Sequence, residues 1–170
     1  MNSPAMNCPS CGAPMRLDAG AESLTCEYCG NIVFPEKNDD GVRVLGQPSN
    51  ELCPTCGIGL VDASFSSAHL RYCTRCRGML IDMDIFADLV QTLRRGNEGG
   101  GVIPQPPDRS ELQRRLTCPH CRQAMETHFY AGPGNVILSD CERCSLNWLD
   151  HGKLMRIAHA PDALREEAEV

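Results

Sequence analysis

Cysteine dominates the chemistry open to this chain of 170 residues. Its twelve cysteines fall into six Cys-x-x-Cys pairs with none left over: Cys8/Cys11, Cys26/Cys29, Cys53/Cys56, Cys73/Cys76, Cys118/Cys121 and Cys141/Cys144. Two such pairs brought face to face make a set of four soft thiolates, which suits a tetrahedral zinc ion. Redox-active dithiols or an iron site are the competing uses of the same residues. A disulfide framework fits poorly, because "MNSPAMNCPSCG" carries no basic start followed by an apolar stretch. No apolar run approaches the ~18 residues of a membrane span. The expected setting is therefore the reducing cytoplasm, where repeated Cys-x-x-Cys reads as metal-binding.

A closed shell of four cysteines leaves no position for water or substrate, so the metal is expected to be structural. No other constellation suggests catalysis. Neither a Gly-rich phosphate loop, a His-Glu-x-x-His nor a nucleophile elbow is present. His69, His120, His128, His151 and His159 are scattered, and His120 lies inside a Cys-x-x-Cys whose metal the cysteines already saturate. No catalytic residue is expected.

Successive pairs group into three units, 8–29, 53–76 and 118–144, with 14, 16 and 19 residues between the inner cysteines. That spacing is the zinc-ribbon pattern. Each unit also reads as a β-hairpin. "IGLVDASF" and "AHLRYC" flank a Ser-rich tip in the second, and "METHFYA" and "NVILSDC" flank "GPGN" in the third. Gly12, Gly30 and Gly57 follow the second cysteine of their pairs, where positive φ lets the backbone turn toward sulfur. Cys76 has its glycine one step later, at Gly78. Arg122 and Ser145 replace glycine in the third unit, where strained turns or weaker zinc binding are expected.

The fold class that follows is a small, metal-stabilised chain of three tandem zinc ribbons, the second and third each followed by an α-helix. Its expected parts are an N-terminal ribbon over 1–35 and a polar connector over 36–50 containing one short strand in "VRVL". A second ribbon with its helix covers 51–95, a Gly/Pro linker 96–107, and a third ribbon with its helix 108–170. The basic and acidic residues of "DRSELQRRL" at 108–116 read as a short solvated helix. Three zinc ions, one per four-cysteine site, are the expected cofactor, because ribbons of this size bury too little apolar surface to fold alone.

Both later units continue alike past their last cysteine. Asp82 and Asp150 each stand six residues beyond it and can cap a helix. Ile85, Phe86, Leu89, Val90 and Leu93 then share one helical face, as do Leu154, Met155, Ile157 and Ala158 before Pro161. Here "CERCSLNWLDHGKL" resembles the bacterial zinc ribbons related to the zinc-binding domain of general transcription factor IIB, through Trp148, Leu149 and Asp150. "CTRCRGMLIDMDIF" is similar more loosely, with Leu80 and Ile81 in place of Trp-Leu and Asp82 in register. The first unit shares only the ribbon. A family Glu that would complete a capping box is replaced by Ile85 and Lys153. Trp148 and Leu149 lie between the zinc turn and the helix. There they can pack the helix onto the hairpin or, in the case of Trp148, meet a partner.

The formal charge is −6, from 16 basic and 22 acidic side chains. Four thiolates around a dication add −2 per site, which takes the zinc-loaded chain to about −12. This balance argues against nucleic acid, whose binders show a basic patch or stripe. The resemblance implies a transcription-related role, whereas the charge favours a protein-interaction module with an unidentified protein partner. A redox-sensitive, chaperone-like protein is a further alternative, since zinc-held thiolates can be oxidised. A related ribbon of transcript-cleavage factors carries adjacent Asp-Glu at its hairpin tip. The tips here, "DAGAES", "DASFSS" and "GPGN", do not.

Overall fold

The computed structural model describes residues 6–17, 22–97 and 105–161. Two compact units divide at Ile81 and Asp82. No helix among the described residues is long and apolar enough to cross a membrane.

The first unit holds two ribbons. Strands β1 (Met15–Leu17), β2 (Leu24–Cys26) and β3 (Ile32–Val33) form an antiparallel sheet in that order. Its core is small. Cys8, Met15, Leu24 and Cys26 are buried, with Met6, Ala13, Leu17 and Val33 partly buried against them. Two of the four buried residues are metal-ligand candidates, so little apolar packing remains to hold this ribbon without its ion. The tip residues 18–21 lie outside the described set.

The second ribbon comprises β4 (Arg43–Val44), β5 (Val61–Phe65), β6 (Ala68–Tyr72) and β7 (Met79–Asp82), each antiparallel to the next. Ser66 and Ser67 close the β5–β6 hairpin with φ of 46° and 64°. Two positive φ values in a two-residue loop are the geometry whose twist matches paired strands. Leu60, Val61, Ala63, Leu70 and Tyr72 are buried here, a larger apolar core than that of the first ribbon.

The connector is folded rather than slack. "VRVL" supplies β4, and its flanking Val42 and Leu45 are buried. The Asn38 side chain accepts from the N–H groups of Asp40 and Val42, at 3.0 and 2.9 Å, forming the turn before β4. Asp40 in turn accepts from the Tyr72 hydroxyl at 3.0 Å and pairs with Arg77 at 2.8 Å. Glu22 links the two ribbons, accepting from the Ser67 N–H at 3.0 Å and from Arg43 at 2.9 Å.

The second unit contains α1 (Met83–Gly96), a 3-10 turn at Arg109–Gln113, β8 (Glu126–Phe129), β9 (Ile137–Cys141), β10 (Leu146–Leu149) and α2 (Lys153–His159). β8, β9 and β10 are antiparallel in that order. Helix α1 buries Phe86, Leu89 and Val90 and packs on α2 and β10. Phe86 also meets the Tyr130 ring edge-on at 5.5 Å. Arg94 donates to the carbonyls of Ile157 and Ala160 at 2.6 and 2.9 Å, serving the open C-terminal end of α2. The helix that follows the second ribbon in sequence is thus grouped with the third ribbon and its helix. Helical periodicity identifies an apolar face but not the surface that covers it.

Trp148 and Leu149 are each 1% exposed. The "GPGN" turn also has a packing reason. Gly134 sits at φ 106°, and a Cβ there would lie 3.2 Å from the backbone of Arg156 and Ile157 in α2. Most of the Gly/Pro linker, residues 98–104, lies outside the described set.

Candidate metal centres

Five of the six Cys-x-x-Cys pairs sit on one repeated turn. The residue after the second cysteine donates its N–H to the carbonyl of the first cysteine, as in Gly12 to Cys8, Gly30 to Cys26 and Gly57 to Cys53, each at 2.9 Å. Arg77 to Cys73 and Arg122 to Cys118 repeat the bond at 2.9 Å. Every one of these residues has positive φ: 76°, 73°, 74°, 63° and 62° in the same order.

Gly78 therefore does not take over the glycine role after Cys76; Arg77 itself adopts the left-handed conformation. Non-glycine residues in this position are not confined to the third unit. The sixth turn, after Cys141, differs: Cys144 and Ser145 donate back to Cys141 and Glu142 at 3.2 Å, with Ser145 at φ 54°. Its Ser145 carbonyl accepts from the Met83 N–H at 2.9 Å, where α1 begins.

A left-handed conformation costs an L-residue roughly 1–2 kcal/mol, and glycine's greater unfolded-state entropy returns part of that. Arg122 is exposed, so Arg122→Gly should stabilise the third ribbon by about 0.5–1 kcal/mol in urea unfolding. Arg77→Gly should gain less, because it also removes the ion pair with Asp40.

The turns gather the cysteines into three sets: Cys8, Cys11, Cys26 and Cys29; Cys53, Cys56, Cys73 and Cys76; Cys118, Cys121, Cys141 and Cys144. Within each set all sulfurs lie within 4.8 Å of one another. The sulfur–sulfur separations are 3.7 Å for Cys8–Cys29, 3.5 Å for Cys11–Cys26, 3.6 Å for Cys53–Cys76 and 3.6 Å for Cys121–Cys141. A disulfide would require ~2.05 Å. A tetrahedron with Zn–S bonds of ~2.3 Å has edges of about 3.8 Å. The donor sets fit zinc.

Backbone donors support the sulfurs. Ser10 and Thr55 point N–H groups at Cys8 and Cys53 at 3.4 Å, and the Cys56 N–H approaches Cys53 at 3.3 Å. Four crowded thiols do not lose their protons alike. Burial pushes the Cys8 thiol up, but donors from Ser10 and Cys11 and the neighbouring thiols bring it down to about 6. Cys11 gains a backbone donor from Ala13, yet the other sulfurs drive it up to about 12. In the third set the Gln123 N–H brings Cys121 down to about 7, while burial and its neighbours push Cys144 up to about 12. Like charges this close resist joint ionisation, and a dication removes that resistance.

The second of these centres carries a zinc-ribbon signature. Residues 52–92 match the transcription factor zinc-finger family, the TFIIB-type zinc ribbon. Neither curated proteins nor solved structures yielded a match. The matched stretch covers the second ribbon from its first cysteine pair through β7, but not β4, and most of α1. The first and third centres rest on their own geometry. Protein purified under reducing conditions should contain three zinc ions per chain by elemental analysis. Two ions with four titratable free thiols would exclude one of the centres.

The helix starts correct two expectations. Asp82 holds the cap position of α1, but its side chain makes no capping bond, so with Asp84 it contributes only charge near the N-terminus. Asp150 does not cap α2: Gly152, at φ 83°, takes that position. The Asp150 carboxylate instead accepts from Arg114 at 2.7 and 3.1 Å and from Lys153 at 2.7 Å. Burial works against its charge, yet Arg114 and Lys153 hold its carboxyl below the ordinary aspartate range.

Lys153, only 6% exposed, also donates to Glu111 and to the Ile137 carbonyl. The segment over 108–116 is solvated only in part: Asp108, Arg109, Ser110, Gln113 and Arg115 are exposed, whereas Glu111 and Arg114 tie it to Lys153 and Asp150. Glu111 and Asp150 keep about a quarter of their surface in water. Lys153→Met should therefore cost about 2–3 kcal/mol, below the 3–5 typical of breaking a fully buried pair. Urea unfolding followed by Trp148 emission would measure the loss.

Proposed function

We propose that this chain is a non-enzymatic protein-interaction module whose zinc ions serve the fold. The observation that carries this reading is the distribution of aromatic and apolar side chains. Phe65 and Tyr72 of the second ribbon, Phe86 of α1 and Trp148 of the third ribbon are buried, and Phe129 of the third ribbon is 42% exposed. On the first ribbon Tyr28 is 85% exposed, Phe34 67% and Ile32 54%. All three fall within seven consecutive residues around β3, and a cluster of this kind on a small polar domain suits a protein partner.

Closed four-thiolate shells support a structural metal. The zinc-ribbon match supports a non-catalytic chain and allows a transcription-related process for the partner. The acidic balance favours protein over nucleic acid as the direct contact.

The test compares the zinc-loaded full chain with Tyr28→Ser/Phe34→Ser in cross-linking and mass spectrometry from its own cells. A partner captured by the native chain should be lost with the double variant, whose metal content should remain at three. Equal capture by both would refute the assignment of this surface. Nucleic-acid binding that persists at physiological salt would favour the transcription-factor alternative.

A further inference from the structure

We infer that the first cysteine set is an oxidation site, with hydroperoxides as the reacting class and cross-turn disulfides as the product. In each set the first cysteine of a pair is buried and the second lies further out. The sets differ in how far out. Cys56, Cys76, Cys121 and Cys144 are half-buried, whereas Cys11 and Cys29 are both exposed. An oxidant must reach the sulfur, so exposure of a thiolate governs its rate. Among the described residues only the first set has two exposed cysteines.

The geometry also supplies the resolving thiols. Cys11 lies 3.5 Å from buried Cys26, and Cys29 lies 3.7 Å from buried Cys8. Each exposed cysteine thus has a partner sulfur on the opposite turn.

The Cys11 thiolate attacks one peroxide oxygen; an S–O bond forms, the O–O bond breaks and hydroxide leaves. The Cys26 thiolate then attacks the Cys11 sulfur; the S–S bond forms, the S–O bond breaks and a second hydroxide leaves. Two thiolates are oxidised to one disulfide, and one peroxide, with two protons, is reduced to two waters. Cys29 and Cys8 repeat the sequence with a second peroxide. Four donors are consumed, and the site can no longer hold its metal.

Little else would then hold the ribbon. Beyond its own cysteines its buried core is Met15 and Leu24. The second ribbon keeps Leu60, Val61, Leu70 and Tyr72. Oxidation should therefore act on the N-terminal ribbon alone, as a graded device rather than a collapse of the chain. This inference stands independently of the partner reading, because it needs no ligand other than peroxide.

The experiment treats the zinc-loaded full chain with hydrogen peroxide in the presence of a chromogenic zinc chelator, and maps disulfides by peptide mass spectrometry. One zinc per chain should be released several-fold faster than the other two. Cys11–Cys26 and Cys8–Cys29 should be the first disulfides, with Trp148 emission unchanged during that phase. Equal release of all three ions, or first disulfides within the 53–76 or 118–144 sets, would overturn the assignment. No variant is needed, so misfolding cannot obscure the outcome.

Discussion

Cys141→Ser should reduce the zinc content from three to two and unfold the third ribbon together with both helices. Structural zinc contributes on the order of 10–16 kcal/mol of apparent binding free energy in small modules, against a typical domain stability of about 5–15. Losing one of four thiolates therefore removes an amount comparable with the whole stability of the unit. Trp148 is 1% exposed and is the only tryptophan, so its emission should shift to the red. Helical signal in circular dichroism should fall further than loss of the seven-residue α2 allows. The reason is that α1, 14 residues long, buries its apolar face in the same unit, and an isolated helix of that length is marginal in water. Cys8→Ser should leave the Trp148 emission and the helical signal intact. A helical signal that survives Cys141→Ser would show α1 to be held by something other than the third ribbon.

The metal centres were legible because their chemistry is written in spacing. Six Cys-x-x-Cys pairs with 14, 16 and 19 residues between the inner cysteines leave few alternatives to three four-thiolate sites. The two later hairpins were legible for a related reason, since their tips carry Ser or Gly-Pro-Gly-Asn between alternating strands. What escaped is what depends on long-range partners. Lys153 occupies the place of a capping glutamate and reads as a departure from the family pattern. In the fold it becomes a buried cation, because Glu111, Asp150 and the Ile137 carbonyl converge on it. Asp150 could be assigned as a cap only because the chain 36 residues earlier, at Arg114, was not known to reach it. Arg77 was passed over in favour of Gly78 because glycine is the usual signal for positive φ. The turn geometry after Cys73 needs that conformation one residue earlier, and the ion pair with Asp40 secures the arginine there.

The grouping of α1 yields the second large effect. Leu89→Ala should destabilise the unit that contains Trp148, although Leu89 follows the second ribbon in sequence. Leu89 is 3% exposed on the face of α1 that also buries Phe86 and Val90. Truncating a leucine in such a position costs about 2–5 kcal/mol, from lost transfer energy and the cavity left behind. With a urea dependence of ~1–3 kcal/mol per molar for a small domain, the Trp148 unfolding midpoint should fall by roughly 1–2 M. The two possible homes for α1 give opposite results. If the helix packed only on the second ribbon, Leu89→Ala would weaken retention of the second zinc and leave the Trp148 transition in place. If it packs on α2 and β10, the Trp148 transition moves and the Cys53 set keeps its ion. Arg94→Ala gives an independent check, since it removes the donors to the Ile157 and Ala160 carbonyls without opening a cavity. It should shift the same midpoint in the same direction by less, about 1–2 kcal/mol in stability, as expected for loss of charge-assisted hydrogen bonds at a helix end.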